Sequence, residues 1–240
     1  MFFFDRKRLK RHARVIVVIL VIVLSVGLIM SSIQWASAPL PAATSSNDQQ
    51  VSQEEMQKAL KEQITKLEKE VTEKPKDITL MSQLAYIYQL SGETEQGLKF
   101  FQGQIDTLSG LNKENPKDAD TLLALAICYD IVGNVDKATE HFNKVIEINP
   151  DNYDVRLMLT NVHFHNAKFD LAEEQVKYVV DKQPEDARAI NMYAYVLAAK
   201  EDYQGAVAQI EKYIEMVGEE GQGVEQAKND LAEWKKQIKK

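Results

Sequence analysis

Cysteine and histidine are scarce in this chain of 240 residues, and their scarcity excludes several classes of protein. The single cysteine, Cys128, has no partner for an internal disulfide. The four histidines and one cysteine do not form a cluster with the spacing of a zinc site. Glycine-rich phosphate loops, HExxH and serine-elbow motifs are also missing. We therefore expect a fold held together by packing alone, with no cofactor, no metal and no enzymatic activity.

Positive charge is rare outside the N-terminus. Residues 1–14 carry six Lys or Arg side chains against the single Asp5, a local charge of +5. The whole chain has a net charge of −7, so the other residues together carry −12. Nucleic-acid binding requires a basic surface that displaces counterions from phosphates. The acidic body therefore argues against a nucleic-acid partner.

A long uncharged run follows this basic tail. Residues 15–33 contain no charged side chain, and as a helix they extend about 28 Å, which just spans a bilayer core. Because cations precede the run and no charge follows until Asp48, the positive-inside rule keeps the N-terminus cytoplasmic. We expect a signal-anchor transmembrane helix over residues 15–35 in the plasma (inner) membrane. The C-terminal part of the chain would then lie outside the cytoplasm.

A cleaved secretory signal is the alternative for this segment. Residues 36–38, Ala-Ser-Ala, resemble a processing site. However, the apolar run is longer than such signals need, and Pro39 would stand at the scissile bond, so retention as an anchor is favoured. Residues 36–50 are rich in Pro, Ala, Ser and Gln, and they predict a flexible linker.

From residue 75 onward the sequence repeats itself every 34 residues. Three prolines keep this interval, and a residue type that favours helix N-caps follows two positions after each. The prolines are Pro116, Pro150 and Pro184, and the N-cap types are Asp118, Asn152 and Asp186. Small residues keep the same interval at Ala138, Ala172 and Ala206. An earlier unit also fits, with seven extra residues after Phe101 that either lengthen its second helix or form a loop.

Each unit has the pattern of two consecutive helices. In the second unit, apolar residues three and four positions apart define the buried face of a first helix: Leu122, Leu125, Ala126 and Tyr129. Gly133 is placed to end that helix in the left-handed conformation. The second helix has its own stripe, formed by Ala138, Phe142, Val145 and Ile146. The predicted repeat region is 75–217, with units at 78–115, 119–150, 153–184 and 187–217.

A 34-residue helix–turn–helix with these small, aromatic and proline positions resembles the tetratricopeptide repeat family, in a membrane-anchored bacterial envelope form. The resemblance implies an all-α solenoid of about four units. The tryptophan of the family's first helix is replaced by Met81, Leu122, Arg156 and Ile190. The family's tyrosine is present as Tyr88 and Tyr129 but becomes His163 and Leu197. These departures predict looser third and fourth units.

Helices are predicted at both ends of the repeats, because a stacked array must cover its terminal apolar faces. Residues 51–74 form an amphipathic helix with a stripe at Met56, Leu60, Ile64, Leu67 and Val71. This helix either covers the first repeat, which we favour, or joins two chains into a homo-oligomer through residues 51–73. Residues 224–240 form a capping helix with a stripe at Val224, Ala227, Leu231, Trp234 and Ile238.

The first helices of such a stack line a concave surface, which is the predicted binding groove. At about 100° per residue, one set of side chains points away from the core toward this groove. The set is Tyr86, Leu123, Ile127, Asp130, Leu157, Asn161, Phe164, His165, Arg188, Asn191 and Tyr195. The mixture of apolar, aromatic, amide and acidic groups suits an extended peptide or an amphipathic helix. Family members that clamp carboxylate tails use more cations than this, so that role is not expected.

Two groups that might carry chemistry are expected to be structural instead. Cys128 lies among apolar residues with no neighbouring cation, so we expect a small, partly buried apolar residue rather than a nucleophile. His163 occupies the repeat's tyrosine position and should be a packed core residue, whereas His141 should be solvated. His163 and His165 are two positions apart, so on a helix they point in different directions.

Together these features predict a membrane-anchored scaffold or adaptor for protein–protein interaction, in cell-envelope assembly, secretion or cytochrome maturation. One alternative is an accessory component of an envelope enzyme that binds haem or metal through His141, His163 and His165. The other alternative is a self-associating structural protein that uses the helix at residues 51–73.

Overall fold

The structure is a computed structural model that describes residues 46–219, 221 and 223–238, with side chains from residue 54 onward. Within these residues there are ten helices and no strand. The helices are α1 (Ser46–Glu73), α2 (Ile78–Ser91), α3 (Thr94–Glu114), α4 (Ala119–Ile131), α5 (Val135–Ile148), α6 (Tyr153–His165), α7 (Phe169–Lys182), α8 (Ala187–Ala199), α9 (Tyr203–Val217) and α10 (Val224–Ile238).

Helices α2 to α9 form four pairs, and each pair falls inside one of the predicted repeat units. The second helix of each of the first three pairs packs on its own partner and also on the first helix of the next pair. Contacts between neighbouring units of this kind define a solenoid, in which each unit hides its apolar face against the next. The predicted all-helical solenoid is therefore confirmed for the described part of the chain.

One residue with positive φ ends the turn inside each pair. Gly92 and Gly133 both have φ of 78° in the first two turns, whereas Ala167 and Glu201 have φ of 56° and 65° in the last two. Glycine adopts this conformation without the Cβ clash that other residues meet. The backbone of the turn is thus the same in all four pairs, although the sequence favours it in only two.

Side-chain caps fix where the first helices begin. The Asp77 carboxylate accepts hydrogen bonds from the backbone N–H groups of Thr79 and Leu80, at 3.1 Å each. Asn152 and Asp186 cap α6 and α8 in the same way. These bonds satisfy N–H groups that have no partner within a helix. Asp118 precedes α4 but accepts from the Thr121 hydroxyl and pairs with Lys76 instead.

The seven extra residues of the first unit are helical. Helix α3 has 21 residues, whereas α5 and α7 have 14 each. Seven residues add about two turns, or roughly 10 Å, to the helix. Leu108, within the added length, is fully buried, so the extension contributes to the core and does not form a loop.

A small residue near the start of each second helix lets the two helices of a pair approach closely. Ala138, Ala172 and Ala206 are completely buried at this position. In the first pair the residue is Gly97, where an added Cβ would lie 2.8 Å from Cγ of Tyr88. The 34-residue spacing of small residues thus marks the closest contact within each pair.

Polar contacts replace the missing tryptophan in the third pair. The Arg156 guanidinium stacks on the ring of Tyr178, 3.9 Å from the ring centroid. It also donates hydrogen bonds to Oε1 of Gln175 at 3.0 Å and to the carbonyl oxygen of Pro150 at 3.2 Å. Stacking of a guanidinium on an aromatic ring adds a charge–quadrupole attraction to the area that it buries. Arg156 therefore joins α6 to α7 at the position of an aromatic side chain.

The two end helices cover the ends of the stack. Ile64 and Val71 of α1 are buried in the core cluster of the first repeats, and the Tyr88 hydroxyl donates to the carboxylate of Glu68. The preferred role of this helix, covering the first repeat, is thus what the structure shows. Met56 remains 58% exposed, so the N-terminal turns of α1 extend beyond the covered surface. At the other end, Ala227 and Trp234 of α10 are buried in a cluster with α8 and α9.

The start of α1 differs from the sequence-based boundary. The helix begins at Ser46, so the last five residues of the predicted linker, 46–50, are helical. The two glutamines at 49 and 50 are good helix formers. These local preferences outweigh the polar composition that predicted a linker.

The basic tail at 1–14, the predicted transmembrane segment at 15–35 and most of the predicted linker lie outside the described residues. Among the helices that the structure describes, none is both long enough and apolar enough to cross a membrane.

Candidate functional site

The eleven residues predicted to line the groove all lie on the first helices, α2, α4, α6 and α8. Nine of them are half-buried, which suits side chains that line a shallow groove better than it suits a fully solvated face. The other two are Arg188, which is exposed, and Leu157, which is buried. The groove assignment remains a prediction about where a partner binds.

Leu157 departs from the predicted placement. Its side chain is only 6% exposed and belongs to a core cluster with Ala172, Ala189 and Val196. Because these residues come from α7 and α8, Leu157 packs at the boundary between the third and fourth pairs. The 34-residue interval predicted a groove position equivalent to that of half-buried Leu123, but contact with the next pair covers Leu157.

Tyr195 is in contact with the C-terminal helix. Its hydroxyl donates a hydrogen bond of 2.6 Å to Oδ2 of Asp230, and its ring meets Trp234 edge-on with centroids 5.6 Å apart. Burial, together with the bond to the Asp230 carboxylate, raises the pKa of Tyr195. Sequence reasoning did not place Asp230 and Trp234 here, although their four-residue spacing puts both on one face of α10. Helix α10 thus closes the fourth-unit end of the predicted groove.

Arg188, at the start of the fourth unit, forms ion pairs with two carboxylates of the same chain. NH1 of Arg188 lies 3.0 Å from Oδ1 of Asp154, and NH2 lies 2.8 Å from Oδ2 of Asp186. These carboxylates raise the pKa of Arg188. Arg188 is the only cation among the eleven predicted groove residues, and its charge is already balanced.

Three other groove residues have polar atoms without an intramolecular partner. The buried Oδ1 of Asn191 and Nε2 of His165 accept no hydrogen bond from the described residues. The Asp130 carboxylate is half-buried, and no ion pair or hydrogen bond joins it to another group in the described part of the chain. Burial raises the pKa of Asp130 to about 6 and lowers the pKa of His165. The groove therefore contains uncompensated hydrogen-bond acceptors.

His141, His163 and Cys128 pack in the interior of the repeats. His141 was predicted to be solvated, but it is only 9% exposed, because its ring packs 5.3 Å from the Tyr129 ring and its Nδ1 lies 2.8 Å from the carbonyl oxygen of Lys137. His163 is 3% exposed, which confirms a core position, and burial lowers its pKa.

Cys128 is fully buried, and burial raises the pKa of its thiol to about 12, which leaves it protonated and unreactive. Within the described residues, no three His, Cys, Asp or Glu side chains are grouped closely enough to hold a metal ion.

Two family models, both described as tetratricopeptide repeat, match the chain. One matches residues 77–151 and the other matches residues 131–194. Together they extend from the first helix pair into the fourth. No curated protein matches the chain significantly.

Several solved structures are similar to this chain at low sequence identity. A thermophilic TPR protein of Thermus thermophilus, TTC0263, is 16% identical, with a TM-score of 0.50 over 71% of this chain and 88% of that chain. MamA is 16% identical, with a TM-score of 0.46 over 69% and 86%. The first TPR of Spaghetti (RPAP3), bound to an HSP90 peptide, is 20% identical, with a TM-score of 0.45 over 51% and 94%. The matching family models and the paired helices lead to one conclusion: this chain is a tetratricopeptide repeat protein.

Proposed function

We propose that this protein is a membrane-tethered scaffold or adaptor that holds a partner protein in its concave groove. Support comes from the array of paired helices and from nine of the predicted groove residues, which are half-buried on the first helices α2, α4, α6 and α8. Stacked helix pairs commonly use such a surface for binding other proteins.

The partner would present an extended peptide or one face of an amphipathic helix. Apolar anchors are available at Leu123, Ile127 and Phe164, and the aromatic ring of Tyr86 lies on the first helix of the array. Aromatic side chains supply much of the binding energy at protein interfaces, whereas amides such as Asn161 supply specificity through hydrogen bonds. The groove offers both kinds of group.

Membrane attachment rests on the sequence alone. The uncharged residues 15–33 behind a basic tail favour a signal anchor, with the repeats outside the cytoplasm. This topology would place the scaffold in cell-envelope assembly, secretion or cytochrome maturation. The homo-oligomer through residues 51–73 remains an additional prediction, and the contact of α1 with the first repeat already uses much of the apolar stripe.

Site-specific photocrosslinking in native membranes tests the groove. A photoreactive phenylalanine analogue at Tyr86 or at Leu123 should crosslink to one defined partner, identified by mass spectrometry. Leu171 on the second helix α7 is 44% exposed and provides the control position. Crosslinks to the same protein from Leu171, or no crosslink from either groove position, would contradict the proposed function.

A further inference from the structure

The groove leaves hydrogen-bond acceptors without donors. Oδ1 of Asn191 and Nε2 of His165 are buried and unpartnered in the described residues, and the half-buried Asp130 carboxylate has neither a counter-charge nor a hydrogen bond there. A buried acceptor without a donor has lost its bonds to water and gained none in return, which destabilises the folded state. A ligand that supplies donors to these groups would offset that loss.

The three groups lie along the array and are not gathered on one helix. Asp130 and His165 are in the last turns of α4 and α6, in the second and third units, and Asn191 is in the first half of α8. Asp130 shares its helical face with Leu123 and Ile127, seven and three residues earlier. A segment that crosses the first helices would meet apolar side chains together with acceptors.

The charge of this surface is negative. Asp120 lies on the first turn of α4, three residues before Leu123 and therefore on the same helix face. It is exposed and, like Asp130, has no ion pair within the described ranges. The single cation of the groove, Arg188, is already neutralised by Asp154 and Asp186. Uncompensated carboxylates at the ligand surface favour a partner of positive charge, through steering of the encounter and through pairing in the complex.

We propose that the groove selects a cationic segment of its partner, with a Lys or Arg side chain paired to the Asp130 carboxylate. This inference rests on the proposed function of the groove. Ammonium and guanidinium groups are donors only, so they match the Asp130 carboxylate, which is an acceptor only when it is ionised. Bonds between a cation and a carboxylate are about twice as strong as neutral ones. The neighbouring apolar residues hold the aliphatic stem of the cation and the apolar positions of the segment.

Three fluorescent peptides, measured by anisotropy against the purified full chain in neutral detergent, test this assignment. The peptides share the same Leu and Phe positions and carry Arg, Gln or Glu at the intervening positions. We expect the Arg peptide to bind at least about tenfold more tightly than the Gln peptide, and the Glu peptide to bind most weakly. Asp130→Asn should weaken binding of the Arg peptide by about tenfold or more and leave binding of the Gln peptide unchanged.

Asp106→Asn provides the matched control, because Asp106 is an exposed carboxylate on the second helix α3. This variant should bind all three peptides as the unaltered chain does. Circular dichroism of each variant checks that the helices are intact.

The two ways of failing are distinguishable. Equal binding of the three peptides that is lost in Leu123→Ala would overturn the cationic assignment and leave the groove function standing. Binding that is unaffected by both Leu123→Ala and Asp130→Asn, or failure of every peptide to bind, would overturn the cationic assignment and count against the groove as well.

Discussion

The Tyr195 hydroxyl lies 2.6 Å from Oδ2 of Asp230. This hydrogen bond joins α8, the first helix of the fourth pair, to the C-terminal helix α10. The edge-on contact between Tyr195 and Trp234 adds an aromatic pair to the same junction. Helix α10 therefore takes the place that the first helix of a fifth unit would take. Removal of the Tyr195 side chain should therefore lower the stability of this junction.

Trp234→Ala should destabilise the C-terminal end of the array. Trp234 is 9% exposed and packs in a cluster with Ile210, Tyr213 and Leu197. Loss of a buried indole leaves a cavity and removes the ring contact with Tyr195, so the free energy of unfolding should fall by about 2–4 kcal/mol in urea titrations. Ile238→Ala provides the control, because Ile238 is 41% exposed, and it should change the free energy by less than about 1 kcal/mol. Similar effects of the two substitutions would contradict the packing of α10.

Alanine substitutions at three glycines of α3 should change the stability of the protein in different directions. Gly103 and Gly110 are exposed, and nothing lies within 4 Å of an added Cβ, so Gly→Ala should raise the free energy of unfolding by about 0.5–1 kcal/mol at each. At Gly97 the added Cβ would meet Tyr88 ring atoms at 2.8 and 2.9 Å. The bond from the Tyr88 hydroxyl to Glu68 restrains the ring. Gly97→Ala should therefore lower the free energy of unfolding by about 1 kcal/mol, and a gain at all three positions would show that α2 and α3 are not closely packed.

Glycine at the left-handed turn positions of the last two pairs should stabilise the protein. Ala167 and Glu201 have positive φ and are exposed, whereas the first two pairs have glycine there. Ala167→Gly and Glu201→Gly should each raise the free energy of unfolding by about 0.5–1 kcal/mol, because they relieve a Cβ clash at little contact cost. The reverse change, Gly133→Ala, should lower it by about 1 kcal/mol. Thermal unfolding of the four proteins makes the comparison, and a loss of stability in Ala167→Gly would show that the turn is not left-handed.

Asp130→Asn should stabilise the protein at neutral pH while it weakens binding of a cationic partner. Burial raises the pKa of Asp130 to about 6 from its ordinary value of 3.8. The folded state therefore binds the proton more tightly than the unfolded state does. Between about pH 4 and pH 6 the contribution of Asp130 to stability falls as pH rises, and the full penalty is present above about pH 6.

Asparagine removes this penalty, so the variant should gain about 1–3 kcal/mol in free energy of unfolding near pH 7.5 and almost nothing near pH 4. Urea titrations of both proteins at the two pH values provide the measurement. Asp106→Asn should differ little from the unaltered chain at either pH. An equal gain at both pH values would mean that burial of the Asp130 charge is not its cause.

The same titration predicts that binding of a cation by the groove is linked to proton release. Below about pH 6 the Asp130 carboxyl carries its proton and cannot pair with a cation, so the affinity for an Arg-containing peptide should decline as pH falls from 7 to 5. Anisotropy titrations at several pH values measure the decline. In Asp130→Asn the affinity for the Arg peptide should no longer depend on pH in this range. If the variant shows a decline of the same size, a group other than Asp130 causes the pH dependence.

Periodicity in the sequence determined the order and approximate length of the paired helices. Alanine at 138, 172 and 206 lies where two helices touch, because a small residue allows close packing. Asp or Asn at 77, 152 and 186 lies where a first helix begins, because a short polar side chain can accept from the unpaired N–H groups there. Such signals act within one turn of a helix or between two adjacent helices. They therefore survive in the sequence without knowledge of the whole fold.

Only the tertiary structure decided which groove positions remain open. Leu123 and Leu157 occupy equivalent positions 34 residues apart, yet the first is half-buried and the second is buried against the next pair. His141 is likewise covered by the Tyr129 ring, although its position beside core Phe142 predicted a solvated side chain. Tyr195 meets Asp230 of α10, although its own position in the repeat predicted a place in the groove. Periodicity records the contacts that every unit makes, whereas burial at one position depends on the side chains of whichever helix packs over it, and those differ from unit to unit.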